Sequence, residues 1–316
     1  MFDPKIEEFL EGKNPGTRSI YRAGLLTFEE FYKPQGSIPD FIDKLEADRG
    51  LGWREAEDVA AIVIRKYVDW LQTEKKFSRK TVRVYVASIQ QLAKKFHVPF
   101  STNDVHLPVS NPDLKKYSWT VDKAVEFFNL FDSPMYRSFG VLIFQSFIDS
   151  STALSLEYQD ISKEFEANTI PLCLDVERIK TDIPFMSFVG EWGCKELHKW
   201  LDPRDDLTPD AQLFPTSKGP VCDYFRKKAE TFLGVKFKKE ERSPCGSHSL
   251  RASGSTLARD NITGDSEHLR SVDRYLDFFM GKTIPEQQRV YMSKTKEGWR
   301  ETWRTTVEPY VTPLKF

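Results

Sequence analysis

Ser247–Asp260 reads SHSLRASGSTLARD, and Gly281–Lys294 reads GKTIPEQQRVYMSK. In the first stretch His248 and Arg251 stand three positions apart, so a helix beginning here carries both side chains on one side of its opening turns. In the second, Tyr291 lies among Gln287, Gln288, Arg289, Ser293 and Lys294, a polar setting that predicts a partly exposed phenol. An imidazole, a guanidinium and an accessible phenol are together the groups needed to hold a phosphodiester and attack it. Taken singly, each is an ordinary structural residue. Tyr275 and Tyr310 are weaker candidates for the nucleophile, because neither lies nine residues past the segment FFMGK as Tyr291 does.

Around these stretches the chain has 316 residues, 40% hydrophobic and 13% aromatic, enough apolar material for two ordinary cores. Its 46 basic and 47 acidic residues leave a net charge of −1, which excludes a polybasic binder acting through bulk charge. Any nucleic-acid contact must come from local clusters such as Lys75–Lys80, Arg226–Lys228 and Lys236–Lys239. Cys173, Cys194, Cys222 and Cys245 are widely spaced without a C-x-x-C pair, which argues against a zinc ribbon or a disulfide framework and predicts inert thiols. Asp, Glu and His do not cluster at ligand spacing, so neither metal nor other cofactor is expected. No run is long enough to span a membrane, and the opening MFDPKIEEFLEGKNPG lacks signal-peptide order, so a cytoplasmic protein is expected.

The fold class expected is mainly α, with a helical N-terminal domain and an α-rich second domain holding a small antiparallel sheet. In residues 79–98 the apolar positions Val82, Val86, Ile89, Ala93 and Phe96 recur at helical spacing, with Ser78 as N-cap. Arg79, Lys80, Arg83, Lys94 and Lys95 put positive charge around that stripe. Similar amphipathic stretches at Ile6–Leu10, Thr17–Tyr32 and Glu55–Gln72 predict about four helices in residues 1–98, separated by breaks at Asn14–Gly16, Pro34–Pro39 and Gly50–Gly52. Pro99, Pro108 and Pro112 mark a linker over residues 99–116. Residues 117–316 then give buried helices, an alternating region from Leu156 to Gly190 suited to a sheet, and helices again to the end. In the tail, Trp299, Trp303, Tyr310 and Val311 form one apolar stripe, suited either to packing on its own domain or to docking on a neighbour.

With those elements in order, the chain resembles the tyrosine recombinase and integrase family over nearly its whole length, most closely the integrases of archaeal viruses and plasmids. The His-x-x-Arg quartet matches one family motif at His248 and Arg251. The hairpin ERIKTDIPFMSFVG resembles the family's lysine-bearing sheet turn, which puts Lys180 in that role. FFMGK is similar to a segment that normally ends in Gly-His or Gly-Trp, leaving Lys282 there, and Tyr291 follows at the spacing of the nucleophile. FQSFIDSSTALSLEYQDI resembles the first motif, in which Gly-x-Arg precedes Glu and Leu-x-Leu; aligning Leu154 and Leu156 sets Asp149 on the arginine. That departure removes a donor and adds a repelling charge. Arg137, about three helical turns earlier, would compensate only if the fold turned it inward.

The resemblance implies site-specific recombination of double-stranded DNA through a 3′-phosphotyrosyl bond, by four protomers holding two duplexes, and allows a monomer off DNA. Residues 1–98 would be the DNA clamp, contacting DNA through Arg79, Lys80, Arg83, Lys94 and Lys95, and residues 117–316 the catalytic domain. In that scheme Tyr291 attacks phosphorus, His248 takes the phenol proton, Lys180 protonates the departing 5′ oxygen, and Arg251 and Lys282 bind the phosphate. Loss of one charged donor at position 149 costs about 3 to 4 kcal/mol of transition-state stabilisation, so Asp149→Arg is expected to raise cleavage. Asp149 also leaves open a DNA-binding pseudo-recombinase without the chemistry. The near-zero charge leaves open a helical interaction scaffold.

Overall fold

The computed structural model describes residues 2–50, 53–103, 105–108, 117, 119–179, 183–237, 243–261, 266–282 and 294–314. The chain divides into two compact units, residues 1–114 and 115–316. The first unit contains α1 (Pro4–Glu11), α2 (Pro15–Tyr32), α3 (Ile38–Arg49), α4 (Trp53–Thr73) and α5 (Arg79–Lys95). Pro15 and Pro39, read as breaks, are in fact helix starts: like Pro4 in α1, they occupy the first turn of α2 and α3, where a missing N–H is harmless. Helix α3 therefore adds one helix to the four expected, closed at its start by a reciprocal capping box between Ser37 and Asp40. Ser78 caps α5 as expected, its Oγ accepting from Thr81 N at 3.2 Å. Aromatic edges fill the core, with Phe28 against Tyr67 and against Phe41 at centroid separations of 5.1 Å. Phe100 and Val105, placed in the linker by sequence, are buried in this core, so the unit runs beyond residue 98.

The second unit runs α6 (Val121–Asn129), α7 (Pro134–Ser146), α8 (Ser150–Leu154), a 3-10 turn (Tyr158–Asp160), α9 (Ser162–Glu166), β1 (Leu172–Arg178), β2 (Ile183–Val189), α10 (Glu191–Leu201), α11 (Lys218–Leu233), α12 (Ser247–Asn261), α13 (Ser266–Phe279), α14 (Lys296–Thr306) and α15 (Glu308–Val311). The two strands pair antiparallel from Leu172↔Val189 to Arg178↔Ile183. The alternation read as strand from Leu156 onward ends differently. A capping box between Glu157 and Asp160 turns that segment into the 3-10 turn that leads to α9, and pairing begins only at Leu172.

Helix α7 is the central element. Every residue from Ser138 to Ser146 is buried, as expected of a helix covered on all sides. Helix α12 crosses it at Gly254, where a Cβ would stand 2.0 Å from the carbonyl oxygen of Phe144. Only a missing side chain allows that approach. Gly254→Ala should lower stability by about 2 to 3 kcal/mol, because backbone cannot give way as a flexible side chain does. Thermal unfolding checks this, and a melting temperature equal to wild type would contradict it.

The tail docks on its own unit. Trp299, Trp303, Val307 and Val311 are buried, while Tyr310 is half-buried against the same core. Gln145 on α7 ties it down, donating to Val311 O at 3.2 Å and to Thr312 Oγ1 at 2.7 Å. Of the two tail packings open from sequence, the structure has the one within the chain.

Cys173, Cys194 and Cys245 are buried, and burial pushes each thiol up to about 12; Cys222 alone is exposed. At pH 8 one thiol per chain should react with a disulfide reagent in the native state, and four after denaturation. Because the folded values lie above the unfolded thiol value of about 8.5, their contribution to stability is intact below that pH. It is lost as the pH rises through about 12, so urea midpoints should fall across this alkaline window.

Candidate functional site

The site is built where α7 ends. Phe147 closes that helix in the left-handed conformation at φ 59°, and its N–H donates to Ile143 O at 3.1 Å. Glycine is the residue that adopts this conformation at low cost, and Phe147 occupies the glycine position of the Gly-x-Arg pattern. The reversal turns the Phe147 carbonyl toward α12. There Arg251, only 6% exposed, donates from Nε to Phe147 O at 2.5 Å and from Nη2 to Met280 O at 2.7 Å. Burial depresses the Arg251 pKa, the Asp149 carboxylate opposes that, and the neighbouring Arg178 charge adds to it. A guanidinium nevertheless stays protonated in a protein.

Asp149 caps α8: its Oδ1 accepts from Ser151 N at 3.1 Å and from Thr152 N at 3.2 Å. Its other oxygen, Oδ2, faces two cations, Arg178 Nε at 3.3 Å and Arg251 Nη1 at 4.0 Å. Arg178 is the last residue of β1, and its Nη1 also donates to Gly281 O at 3.2 Å. Gly281 follows α13 at φ +60°, and beside it a Cβ would meet the Phe185 ring at 2.7 Å, so glycine is needed there on both counts. The carbonyls of Met280 and Gly281, beyond the C-terminal and negative end of α13, thus each hold one of the two arginines.

The other sequence candidates are placed as follows. His248 is exposed in the first turn of α12, and the adjoining Ser247 Oγ accepts from Ser150 Oγ at 2.7 Å, tying the start of α12 to the start of α8. Lys282 comes directly after Gly281, and its Nζ is bonded to Asp277 Oδ1 at 2.7 Å. Tyr291 and Lys180 lie outside the described residues. Arg137 does not compensate at position 149: it pairs with the buried Glu196 at 2.9 Å. In the first unit Arg79, Lys80, Arg83, Lys94 and Lys95 are all exposed on α5, beside the stripe of buried Val82, Val86 and Ile89. At 3.6 residues per turn the first four fall within a sector of about 100°, and Arg79 and Lys94 are ~22 Å apart along the axis. Lys95 pairs with Glu8 at 3.1 Å. The basic run on α11 is largely engaged within its own unit, Arg226 with Phe237 O and Lys228 with Asp132.

Sequence reasoning missed Arg178. No local signal marks it, because its partner Asp149 stands 29 positions away in the chain. Among the described residues, no group of His, Cys, Asp and Glu side chains converges in a way that could hold a metal ion, and no helix is long and apolar enough to cross a membrane.

Comparison with solved structures follows this geometry. A lambda integrase fragment, solved as a dimer on a core site, superimposes with a TM-score of 0.59 at 15% identity, covering 93% of this chain and 96% of that one. The chain has the tyrosine recombinase fold. The XerH site-specific recombinase, solved in a pre-cleavage complex with its difH substrate, gives 0.55 at 15% identity over 90% of this chain and 78% of that one. The Tn1549 transposon integrase with a circular intermediate DNA gives 0.53 at 13% identity over 78% and 85%. No family model matches the sequence, and no curated protein matches it. The tyrosine recombinase fold thus emerges from the backbone, at identities where sequence comparison no longer reports it.

Proposed function

We propose that this chain is a site-specific recombinase of a mobile element, cutting and rejoining double-stranded DNA through a 3′-phosphotyrosyl bond at Tyr291. The observation that carries the reading is Arg251, a buried guanidinium fixed by two backbone carbonyls and carried on the fold of recombinases and integrases. A cation held this way needs no reorganisation when charge develops on the non-bridging oxygens of a phosphate under attack. The Tyr291 oxygen forms a bond to phosphorus, the bond to the 5′ oxygen breaks, His248 accepts the phenol proton, and Lys180 donates one to the departing oxygen. Lys282 adds a donor at the phosphate. The covalent bond conserves the energy of the diester, so rejoining calls for no nucleotide or metal. The first unit, residues 1–114, serves as the clamp and the second, residues 115–316, as the catalytic domain, with four protomers assembling on DNA.

A second reading has its own observation in favour. The Asp149 carboxylate faces both guanidiniums, where it competes with a bound phosphate, and a DNA-binding protein without cleavage would tolerate that. A nicked suicide duplex separates the two on a denaturing gel. The first reading predicts a covalent band that disappears in Tyr291→Phe; the second predicts salt-sensitive binding with no band. Absence of binding to any duplex at low salt would leave only a protein-interaction scaffold.

The clamp has a separate test. If Arg83 and Lys94 each neutralise one phosphate, the double replacement by alanine should make the slope of log affinity against log salt shallower by about 1.8, roughly 0.9 per contact. An unchanged slope would place the DNA elsewhere.

A further inference from the structure

We propose that Arg178 supplies the second phosphate-binding guanidinium of this site, from β1, with Asp149 as the residue that positions it. The proposal rests on the reading of the site as a phosphate site and names a group that the resemblance does not supply. Three observations converge. First, Arg178 Nε lies 3.3 Å from Asp149 Oδ2, so a guanidinium stands beside the very position where the first-motif alignment finds an acid. Second, Arg178 and Arg251 share one construction: each reaches the same carboxylate oxygen, and each is held by a neighbouring carbonyl past α13, Gly281 O at 3.2 Å for one and Met280 O at 2.7 Å for the other. Third, the charges balance for a diester. Two guanidiniums and one carboxylate leave a single net positive charge, which one bridging phosphate neutralises.

The arrangement also explains why position 149 is acidic here. With Arg178 already present, an arginine at 149 would crowd three like charges into one partly buried site, where repulsion is weakly screened. The aspartate instead holds the strand-borne arginine in place while capping α8 through its other oxygen. The described contacts engage the Arg178 Nε and Nη1 groups, which leaves donors of its five-donor fork to reach a ligand oxygen. Its side chain is 18% exposed, so it is not sealed from an incoming backbone.

The test uses the full chain and a fluorescently labelled duplex, measured by anisotropy across a salt series and, in parallel, with the nicked suicide duplex. Arg178→Gln keeps a donor for Gly281 O and removes the charge. Expected is a salt slope shallower by about 0.9 and, where wild type forms the covalent band, a rate at least a hundredfold lower. Binding and rate equal to wild type would overturn the proposal. Arg178→Lys decides the matter if the glutamine variant does not fold: retained slope with about tenfold weaker affinity marks loss of the planar fork at a phosphate, and wild-type affinity overturns the assignment. Wild type that binds duplex but forms no band refutes strand cleavage alone, and Arg178 is then judged on slope and affinity. Wild type that binds no duplex overturns both.

Discussion

Replacing Arg251 by alanine should abolish covalent capture of DNA and weaken the fold as well. The guanidinium is 6% exposed and ties α12 to the end of α13 through Met280 O and to the turn between α7 and α8 through Phe147 O and Asp149. Truncation leaves two carbonyls without their donor and the carboxylate with one cation fewer, a loss of about 3 to 5 kcal/mol for breaking a buried charged network. In strand cleavage, removal of one preorganised donor costs about a hundredfold to a thousandfold. Arg251→Lys separates the two effects. It retains the charge but cannot bond both carbonyls with one planar fork, so unfolding in urea should recover part of the lost stability while the covalent band stays absent. A lysine variant as active as wild type would show that the fork is not what the site uses.

Asp149→Arg should reduce strand cleavage by a hundredfold or more, the reverse of what the motif alignment alone suggests. By alignment the substitution restores a missing donor. In the structure it removes the cap of α8, worth ~1 kcal/mol, and sets a third guanidinium against Arg178 and Arg251. Asp149→Asn is the informative companion: its one oxygen keeps the cap while its amide nitrogen faces the guanidiniums in place of Oδ2, so Arg178 loses its acceptor and duplex affinity should fall several-fold. Faster cleavage by the arginine variant on the suicide duplex would mean that Arg178 has no part at the phosphate.

How much of this was legible in the sequence follows from range. The first turn of α12 is local, so the three-residue spacing of His248 and Arg251 was enough to place both at one helix start. The position of α5, its Ser78 cap and its basic face were readable for the same reason. Helix α3 was hidden because Pro39 reads equally well as a break or as a first-turn residue, and only the Ser37–Asp40 box decides between them. Arg178 was hidden by distance. A strand pattern tells which face a side chain takes but not what stands opposite, and its partner Asp149 is 29 positions away. The tail's apolar stripe was plain, whereas the surface it covers was settled by Gln145, far back on α7.

The central claim is that one phenol, at Tyr291, becomes joined to a DNA phosphate. Protease digestion of the product trapped on a suicide duplex, followed by mass spectrometry of the nucleotide-bearing peptide, tests it most directly. The added nucleotide mass is expected on Tyr291, and none on Tyr275 or Tyr310. Attachment to another residue, or no attached peptide from a protein that binds the duplex firmly, would contradict it.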